Sequence, residues 1–471
     1  MINSRPYEQY QYSGEEWLGL LPGNWKLIKT KNLFSLITEP APVGNNEMLL
    51  SVYTAIGVRP RKELEARGNK ASTTDNYWLV QPGDIIVNKL LAWMGAVGIS
   101  VYQGVTSPAY DILRAKSEVN AQYYNYLFRL PISGKEFKRH SRGIMDMRLR
   151  LYFSRFGDIK LPYPSYEEQA QIALFLDYKI GQINRFVSKK KHLITLLNEQ
   201  KKMIINRAVT NGIVNDISLK SSGIPWLETI PAHWNVRKLK FVAECFPSNV
   251  DKKTKEGEAS VMLCNYTDVY KHDYIVNDMP FMEASATDEQ IERFLLKKGD
   301  VVITKDSETA NDIAVPAFIK EDLDNIICGY HLSVLRPYDD ILGEFLFRLL
   351  QSKIINAQFE VRANGVTRVA LGVYDLKNAK IPLPPKEEQQ QIIEYISRET
   401  AVIYKTIGQI EKEIALAQEY RTVLITEAVT GKIDVRSYVI PETSEDITIG
   451  DDIAGFDIEE ETEFETQEND S

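Results

Sequence analysis

The side chains best suited to chemistry in this chain are arginines, lysines and asparagines in short clusters, and they are equipped for recognition rather than turnover. Arg59, Arg61, Lys62, Arg67 and Lys70 form a basic, loop-like stretch. Lys135, Lys138, Arg139, Arg142, Arg148 and Arg150 form a second cluster. Past the middle, Lys252, Lys253 and Lys255 group together with Lys271 nearby, and Arg362, Asn364 and Arg368 follow. Guanidinium, ammonium and amide groups are the donors that engage phosphate and base edges. Taken singly, each reads as a solvated surface charge; the clusters together carry the argument.

Catalytic constellations are missing. No Gly-x-x-x-x-Gly-Lys-Ser/Thr phosphate loop occurs, and no Asn-Pro-Pro-Tyr or Asp-Pro-Pro-Tyr motif. There is no Gly-x-Gly nucleotide loop after a strand, no Gly-x-Ser-x-Gly elbow and no His-Glu-x-x-His helix. The cysteines, Cys245, Cys264 and Cys328, lack Cys-x-x-Cys spacing, and the five histidines form no His-x-x-x-His pair. Neither a disulfide framework nor a metal site is expected. With no signal peptide at the N-terminus and no apolar run of roughly 20 residues, a soluble cytoplasmic protein is expected.

The net charge of −9 conceals two parts. Residues 441–471 hold 13 Asp and Glu and no Lys or Arg; without them 52 acidic residues face 56 basic ones. The remainder is mildly basic, which permits a nucleic-acid partner. The acidic tail reads as disordered, either a solubilising segment or a weak internal mimic of phosphate.

The clusters belong to a repeat. Ser13, Gly14, Trp17, Leu18, Pro22 and Trp25 recur as Ser222, Gly223, Trp226, Leu227, Pro231 and Trp234, each 209 positions on. Gly83-Asp84-Ile85-Ile86-Val87 recurs as Gly299-Asp300-Val301-Val302-Ile303, followed at equal spacing by Lys89 and Lys305. Leu161-Pro162-Tyr163-Pro164 recurs as Ile381-Pro382-Leu383-Pro384. Glu167-Glu168-Gln169-x-Gln171-Ile172 recurs as Glu387-Glu388-Gln389-x-Gln391-Ile392. From Pro162 to Thr210 the offset holds at 220, and Arg148 matches Arg368 at the same offset. Residues 40–78 and 250–290 look unrelated. Lys and Arg that persist between divergent copies suit a sequence-independent phosphate role. The paired tryptophans read as packing between head and helix rather than base stacking.

The constrained segments read as long helices, each beginning with acids at its N-terminus and free of proline. Heptad seams hold Leu176, Ile180, Ile183, Val187, Ile194, Leu197 and Ile204 in one, and Ile396, Ile403, Ile407, Ile410, Ile414 and Leu424 in the other. Lys190 and Lys201 interrupt the first seam, and Thr400 and Arg421 the second. They either fix register or lie with their stems along its edge. About 43 residues of helix span roughly 65 Å. Antiparallel pairing of the two would set two readers apart on one rod. The segments before each helix read as mixed α/β, with strands at Asp84–Val87, Val301–Ile303 and Ser333–Leu335 and helices at Asn120–Arg129 and Gly343–Gln351.

Together, the tandem tryptophan boxes, the Pro-x-Pro turns, the Glu-Glu-Gln-x-Gln-Ile starts and the long helices resemble the specificity subunit of Type I restriction-modification systems, over residues 12–433. The resemblance implies an α+β fold with two target recognition domains, at 12–163 and 221–383. Two antiparallel coiled-coil helices, at 164–213 and 384–433, would separate them in a pseudo-two-fold internal repeat, before an acidic tail at 437–471. It implies a non-catalytic chain that reads a bipartite asymmetric site in double-stranded DNA. Two methyltransferase subunits and two restriction/translocase subunits would dock on it, without a membrane. S-adenosylmethionine, ATP and magnesium would sit on those partners, none on this chain. On that reading Arg59, Arg61, Lys62, Lys70, Lys89, Arg139, Arg142 and Arg148 serve the first head. Lys252, Lys253, Lys271, Lys305, Arg362, Asn364 and Arg368 serve the second. The competing reading is a coiled-coil scaffold whose two heads bind proteins.

Overall fold

The repeated Gly-Asp pair explains itself in a computed structural model, which describes residues 6–64, 74–144, 148–214, 216–224, 226–365 and 368–441. Gly83 and Gly299 take φ values of 93° and 92°, the left-handed region that glycine enters without steric cost. Each turn is then closed by the next aspartate. Asp84 accepts from the backbone N–H of Gln81 at 2.8 Å and from Arg114 Nε and Nη2, both at 2.8 Å. Asp300 accepts from Lys297 N at 3.0 Å and from Arg336 Nε and Nη2 at 2.9 and 2.7 Å. Both aspartates are buried. Their hydrogen bonds hold both guanidinium pKa values above the ordinary one. Burial of a charge is tolerable here because it is paired and fully hydrogen-bonded.

The chain forms two compact units, one from residues 1–191 with 411–471 and one from residues 192–410. In the first, β1 (Phe34–Ile37), β2 (Ile85–Asn88), β3 (Val97–Ile99) and β4 (Tyr110–Ala115) form an antiparallel sheet in the order β1-β4-β2-β3. Ile85 and Val87 face a core that holds Tyr124 and Phe128 of α1 (Ala121–Phe128) and Phe137 of α2 (Pro131–His140). Ile86 faces the other way, onto Leu50, Val52 and Val58. Covering on both faces is why the strand is an unbroken apolar run rather than an alternating one. From this unit also starts α3 (Tyr166–Asn211).

The second unit holds a five-stranded sheet. β5 (Ala243–Pro247), β6 (Tyr274–Ile275), β7 (Val301–Thr304), β8 (Pro316–Ile319) and β9 (Leu332–Pro337) form a sheet in the order β5-β9-β7-β8-β6. All its pairs are antiparallel except β6 with β8. Val301 and Ile303 pack on the side of α4 (Gly343–Gln351), while Val302 faces Val261 and Leu263. The second long helix is α5 (Lys386–Val429).

The Glu-Glu-Gln motif ties each long helix to its head. Glu168 accepts from Trp25 Nε1 at 3.0 Å and from Tyr7 Oη at 2.6 Å, and Glu388 accepts from Trp234 Nε1 at 3.0 Å. Gln169 Oε1 accepts from Asn120 N at 2.9 Å, and Gln389 Oε1 from Leu342 N at 2.8 Å, the residues that precede α1 and α4. Their amide nitrogens donate to Pro164 O and Pro384 O, both at 3.0 Å. The tryptophans are buried. The indole N–H groups of Trp25 and Trp234 are thus taken up by the second acid of each helix.

Both long helices are shared between the units. In the first, Leu424, Ala428 and Val429 of α5 join Ile172, Phe175 and Leu176 of α3 in one core, with Ile180 and Ile183 at its edge. Lys190 meets Glu413 at 2.6 Å and Arg421 donates to Asn184 at 3.2 Å, so the segments run antiparallel. In the second, Ile205, Ala208 and Val209 join Ile392, Ile393 and Ile396, and Lys201 lies 4.6 Å from the Tyr404 ring. Ile403 and Ile410 are buried, and Val187, Ile194, Leu197, Ile204, Ile407 and Ile414 are half-buried. The polar residues of the seams therefore have partners. Lys190 and Arg421 bind across it, and Thr400 turns back to donate to Ile396 O at 2.7 Å.

Candidate nucleic-acid interface

In each unit the lysine after the central strand anchors a hairpin that carries the matched arginine. Leu151 N donates to Lys89 O, and Leu371 N to Lys305 O, both at 2.8 Å. Arg142 bridges Arg150 in the first hairpin, and Asn364 bridges Ala370 in the second. Gly143 and Gly365 sit where a Cβ would overlap the backbone of Arg148 and Arg368, so the hairpin is closed tightly in both. Arg148 and Arg368 are exposed. The fold thus brings together Lys89 with Arg142 and Arg148, and Lys305 with Arg362, Asn364 and Arg368.

The lysines themselves are not bare. Lys89 Nζ lies 3.1 Å from Asp111 and donates to Pro108 O at 2.7 Å. Burial raises the pKa of Asp111 although Lys89 opposes the shift. Lys305 Nζ donates to Ser248 O at 3.1 Å and stands 4.3 Å from the Tyr330 ring centre, and burial lowers its pKa. Arg139, at the end of α2, is bound by Glu136 at 2.5 Å while its side chain stays exposed. Arg59 is not in a loop. It lies in the strand Gly57–Pro60, half-buried, with Nη1 on Tyr102 Oη at 3.0 Å. Arg61 and Lys62 open the short helix Arg61–Leu64, which follows that strand directly. Arg67, Lys70 and the tail beyond residue 441 lie outside the described residues.

In the second unit more converges than the spacing of basic residues shows. Asp306-Ser307 pairs with Val369-Ala370 of the hairpin. Asp306, buried, lies 2.7 Å from His331 Nδ1 and 3.4 Å from Arg368 Nε. Arg368 Nη1 is 3.4 Å from His331 Nε2. Tyr266 Oη meets Ser307 Oγ at 3.1 Å and its ring stacks on Tyr270, which brings in Lys271 at the end of the helix Tyr266–Lys271. Val250 bridges Gly329, and exposed Lys252 and Lys253 follow it. Sequence reasoning missed Asp306, His331, Tyr330 and Tyr266. Aligning the two copies past each lysine would have flagged Asp306, which stands where the first copy has Leu90; the others meet it only through the fold.

Among the described residues no group of three or more His, Cys, Asp and Glu could hold a metal ion, and no helix is long and apolar enough to cross a membrane. What the geometry offers is two basic edges built on one plan.

The Type I restriction modification DNA specificity domain matches residues 231–416. The chain is also 26% identical over 430 residues to the Type I restriction enzyme MjaVIII specificity subunit of Methanocaldococcus jannaschii, covering 88% of this chain and 95% of that one. It is 22% identical over 285 residues to the Type I restriction enzyme EcoBI specificity subunit of Escherichia coli, 59% of each chain. Its fold is shared with a chain from a type I R-M system solved to explain complex assembly and conformational transition. That likeness has a TM-score of 0.61 at 14% identity and covers 88% of this chain and 99% of the other. The chain thus carries the Type I restriction modification DNA specificity domain over residues 231–416 and is similar along most of its length to specificity subunits of Type I restriction enzymes.

Proposed function

We propose that this chain is the non-catalytic subunit that reads a two-part, asymmetric DNA sequence, one part with each unit, and presents it to methyltransferase subunits. The observation that carries the reading is the shared framework. The Gly-Asp turn, the strand-end lysine and the hairpin arginine recur in both units, while the side chains around them differ. A constant phosphate-engaging frame with variable neighbours suits two different readers. The chain is then an internal repeat, its two long helices an antiparallel coiled coil that fixes the spacing of the half-sites.

Docking has its own support. On α3, Leu196 and Met203 are exposed, and on α5 the residues 220 positions later, Leu416 and Val423, are exposed as well. Each unit therefore offers the same apolar helix positions to a partner, which favours two methyltransferase subunits on equivalent surfaces. S-adenosylmethionine, ATP and magnesium belong to those partners and to restriction/translocase subunits, and the complex acts in the cytoplasm.

The test is DNA binding by the chain together with its methyltransferase across a salt series. About six phosphate contacts would weaken binding roughly thousandfold between 50 and 200 mM salt. No binding at low salt would instead favour a scaffold whose heads bind proteins.

A further inference from the structure

The hydrogen bonds of the two frameworks coincide at some positions, and the side chains differ at others. Arg114 and Arg336 occupy one position, each bound to the aspartate of its Gly-Asp turn. Counting back along β4 and β9 from those arginines, Ala109 answers to His331 and Pro108 to Tyr330. Backbone bonds agree, since Lys89 N donates to Ala109 O and Lys305 N to His331 O. Counting forward from the lysines, Leu90 answers to Asp306. Three positions that are apolar or small in one unit are thus Asp, His and Tyr in the other. They lie between the two residues that do not change, the lysine and the hairpin arginine.

The chemistry of those three is interlocked. Asp306 is 8% exposed and His331 Nδ1 stands 2.7 Å from it, an approach that favours a proton on Nδ1 over a lone pair there. The carboxylate lies off the ring N–H axis, which makes the contact Coulombic rather than an aligned hydrogen bond. Arg368 Nη1, a donor, faces Nε2, so Nε2 is the acceptor of the ring. Tyr330, half exposed, packs edge-on against the His331 imidazole at 4.9 Å and lies over Lys305. A fixed acceptor beside an exposed aromatic ring, flanked by two cations, is built to meet a base edge between phosphates.

We propose that His331 and Tyr330 are specificity-determining residues of the second unit, that Asp306 is their positioning residue, and that Arg368 beside them engages phosphate. With Arg368 turned away to phosphate, the single lone pair of His331 Nε2 would accept from the exocyclic amine of adenine or cytosine, the only donors those bases present in the major groove. The first unit, with Ala109, Pro108 and Leu90 there, reads its half-site with other residues. The inference rests on the function proposed above and adds which residues read.

The experiment uses the full chain reconstituted with its methyltransferase subunits, a randomised plasmid library and sequencing of N6-methyladenine. With His331→Ala, discrimination is expected to fall at least tenfold at one base pair of one half-site, which is then accepted in either orientation. Tyr330→Ala relaxes the same or the adjacent position, and Asp306→Asn reproduces the His331→Ala pattern. The other half-site and the spacing stay fixed, which shows that the complex has assembled. Arg368→Ala slows methylation of every target without changing the motif and lowers the salt dependence of binding. Retention of the full motif by both His331→Ala and Tyr330→Ala overturns the inference, as does relaxation by Arg368→Ala alone. Should Asp306→Asn abolish methylation, the two surface variants decide. If the unaltered complex methylates no two-part sequence, the proposed function fails instead.

Discussion

Replacing Trp234 by phenylalanine tests how the head is fixed to its helix. The indole is fully buried and its Nε1 donates to Glu388 at 3.0 Å, where among the described residues the only other side-chain partner of that carboxylate is His233 Nε2 at 2.7 Å. Loss of a hydrogen bond to a charged group costs about 1.5–3 kcal/mol. The smaller ring gives up about 40 Å² of buried apolar surface, about 1 kcal/mol at 25 cal/mol per Å². The sum is about 3 kcal/mol. Trp25→Phe should cost less, about 2 kcal/mol, because an anion that keeps other donors escapes part of the penalty. Glu168 there retains Tyr7 at 2.6 Å and Asn24 at 3.4 Å. Native-state hydrogen exchange reads both, amide by amide. Trp234→Phe is expected to speed exchange in the core of residues 192–410 by roughly a hundredfold, since about 1.4 kcal/mol is a factor of ten. A shift below about 1 kcal/mol, or a larger cost for Trp25→Phe than for Trp234→Phe, would refute the reasoning.

Three further outcomes are expected. Gly431, just past α5, has φ of 67°, and a Cβ there would overlap the Pro22 ring, whereas Gly212 at φ 75° has its nearest neighbour at 3.3 Å. Gly212→Ala should therefore cost about 1–2 kcal/mol for its backbone alone, and Gly431→Ala clearly more, by urea denaturation. Asp434 is held below the ordinary carboxylate range by its hydrogen bond with Arg436. A lowered folded-state pKa adds stability above the unfolded value, and that stability is lost as pH falls through the folded one. Burial raises Asp177, so its contribution runs the opposite way, lost as pH rises from the unfolded value through the folded one. Asp434→Asn should flatten the acid limb of the denaturation midpoint measured from pH 7 to 3, and Asp177→Asn should steepen it. Leu416→Glu and Leu196→Glu should each weaken methyltransferase binding at least tenfold in titration calorimetry while leaving the helix content by circular dichroism unchanged.

Several elements were legible from the local pattern of their residues. The strand at Asp84–Val87 is observed at Ile85–Asn88, and the helix at Asn120–Arg129 at Ala121–Phe128, with Asn120 as its cap. What was not legible depends on partners far along the chain. The acids at Glu167-Glu168 read as complements to a helix dipole, but Glu168 spends its carboxylate on Trp25, 143 positions earlier. Lys89 read as a free phosphate contact, yet Asp111 stands beside it because two antiparallel strands place them so. The cluster of Asp306, His331 and Arg368 joins segments that composition alone scatters over more than sixty positions. Basic clusters are visible in one dimension, but the neutral and acidic groups that aim them are not.

The most direct test of the account is the adenine methylome of the host with and without this chain, its methyltransferase being expressed in both. The account predicts one asymmetric, two-part sequence, with two defined ends and an undefined spacer of fixed length, methylated only when the chain is present. An identical methylome in the two strains, or a chain-dependent motif that is a single uninterrupted palindrome, would contradict it.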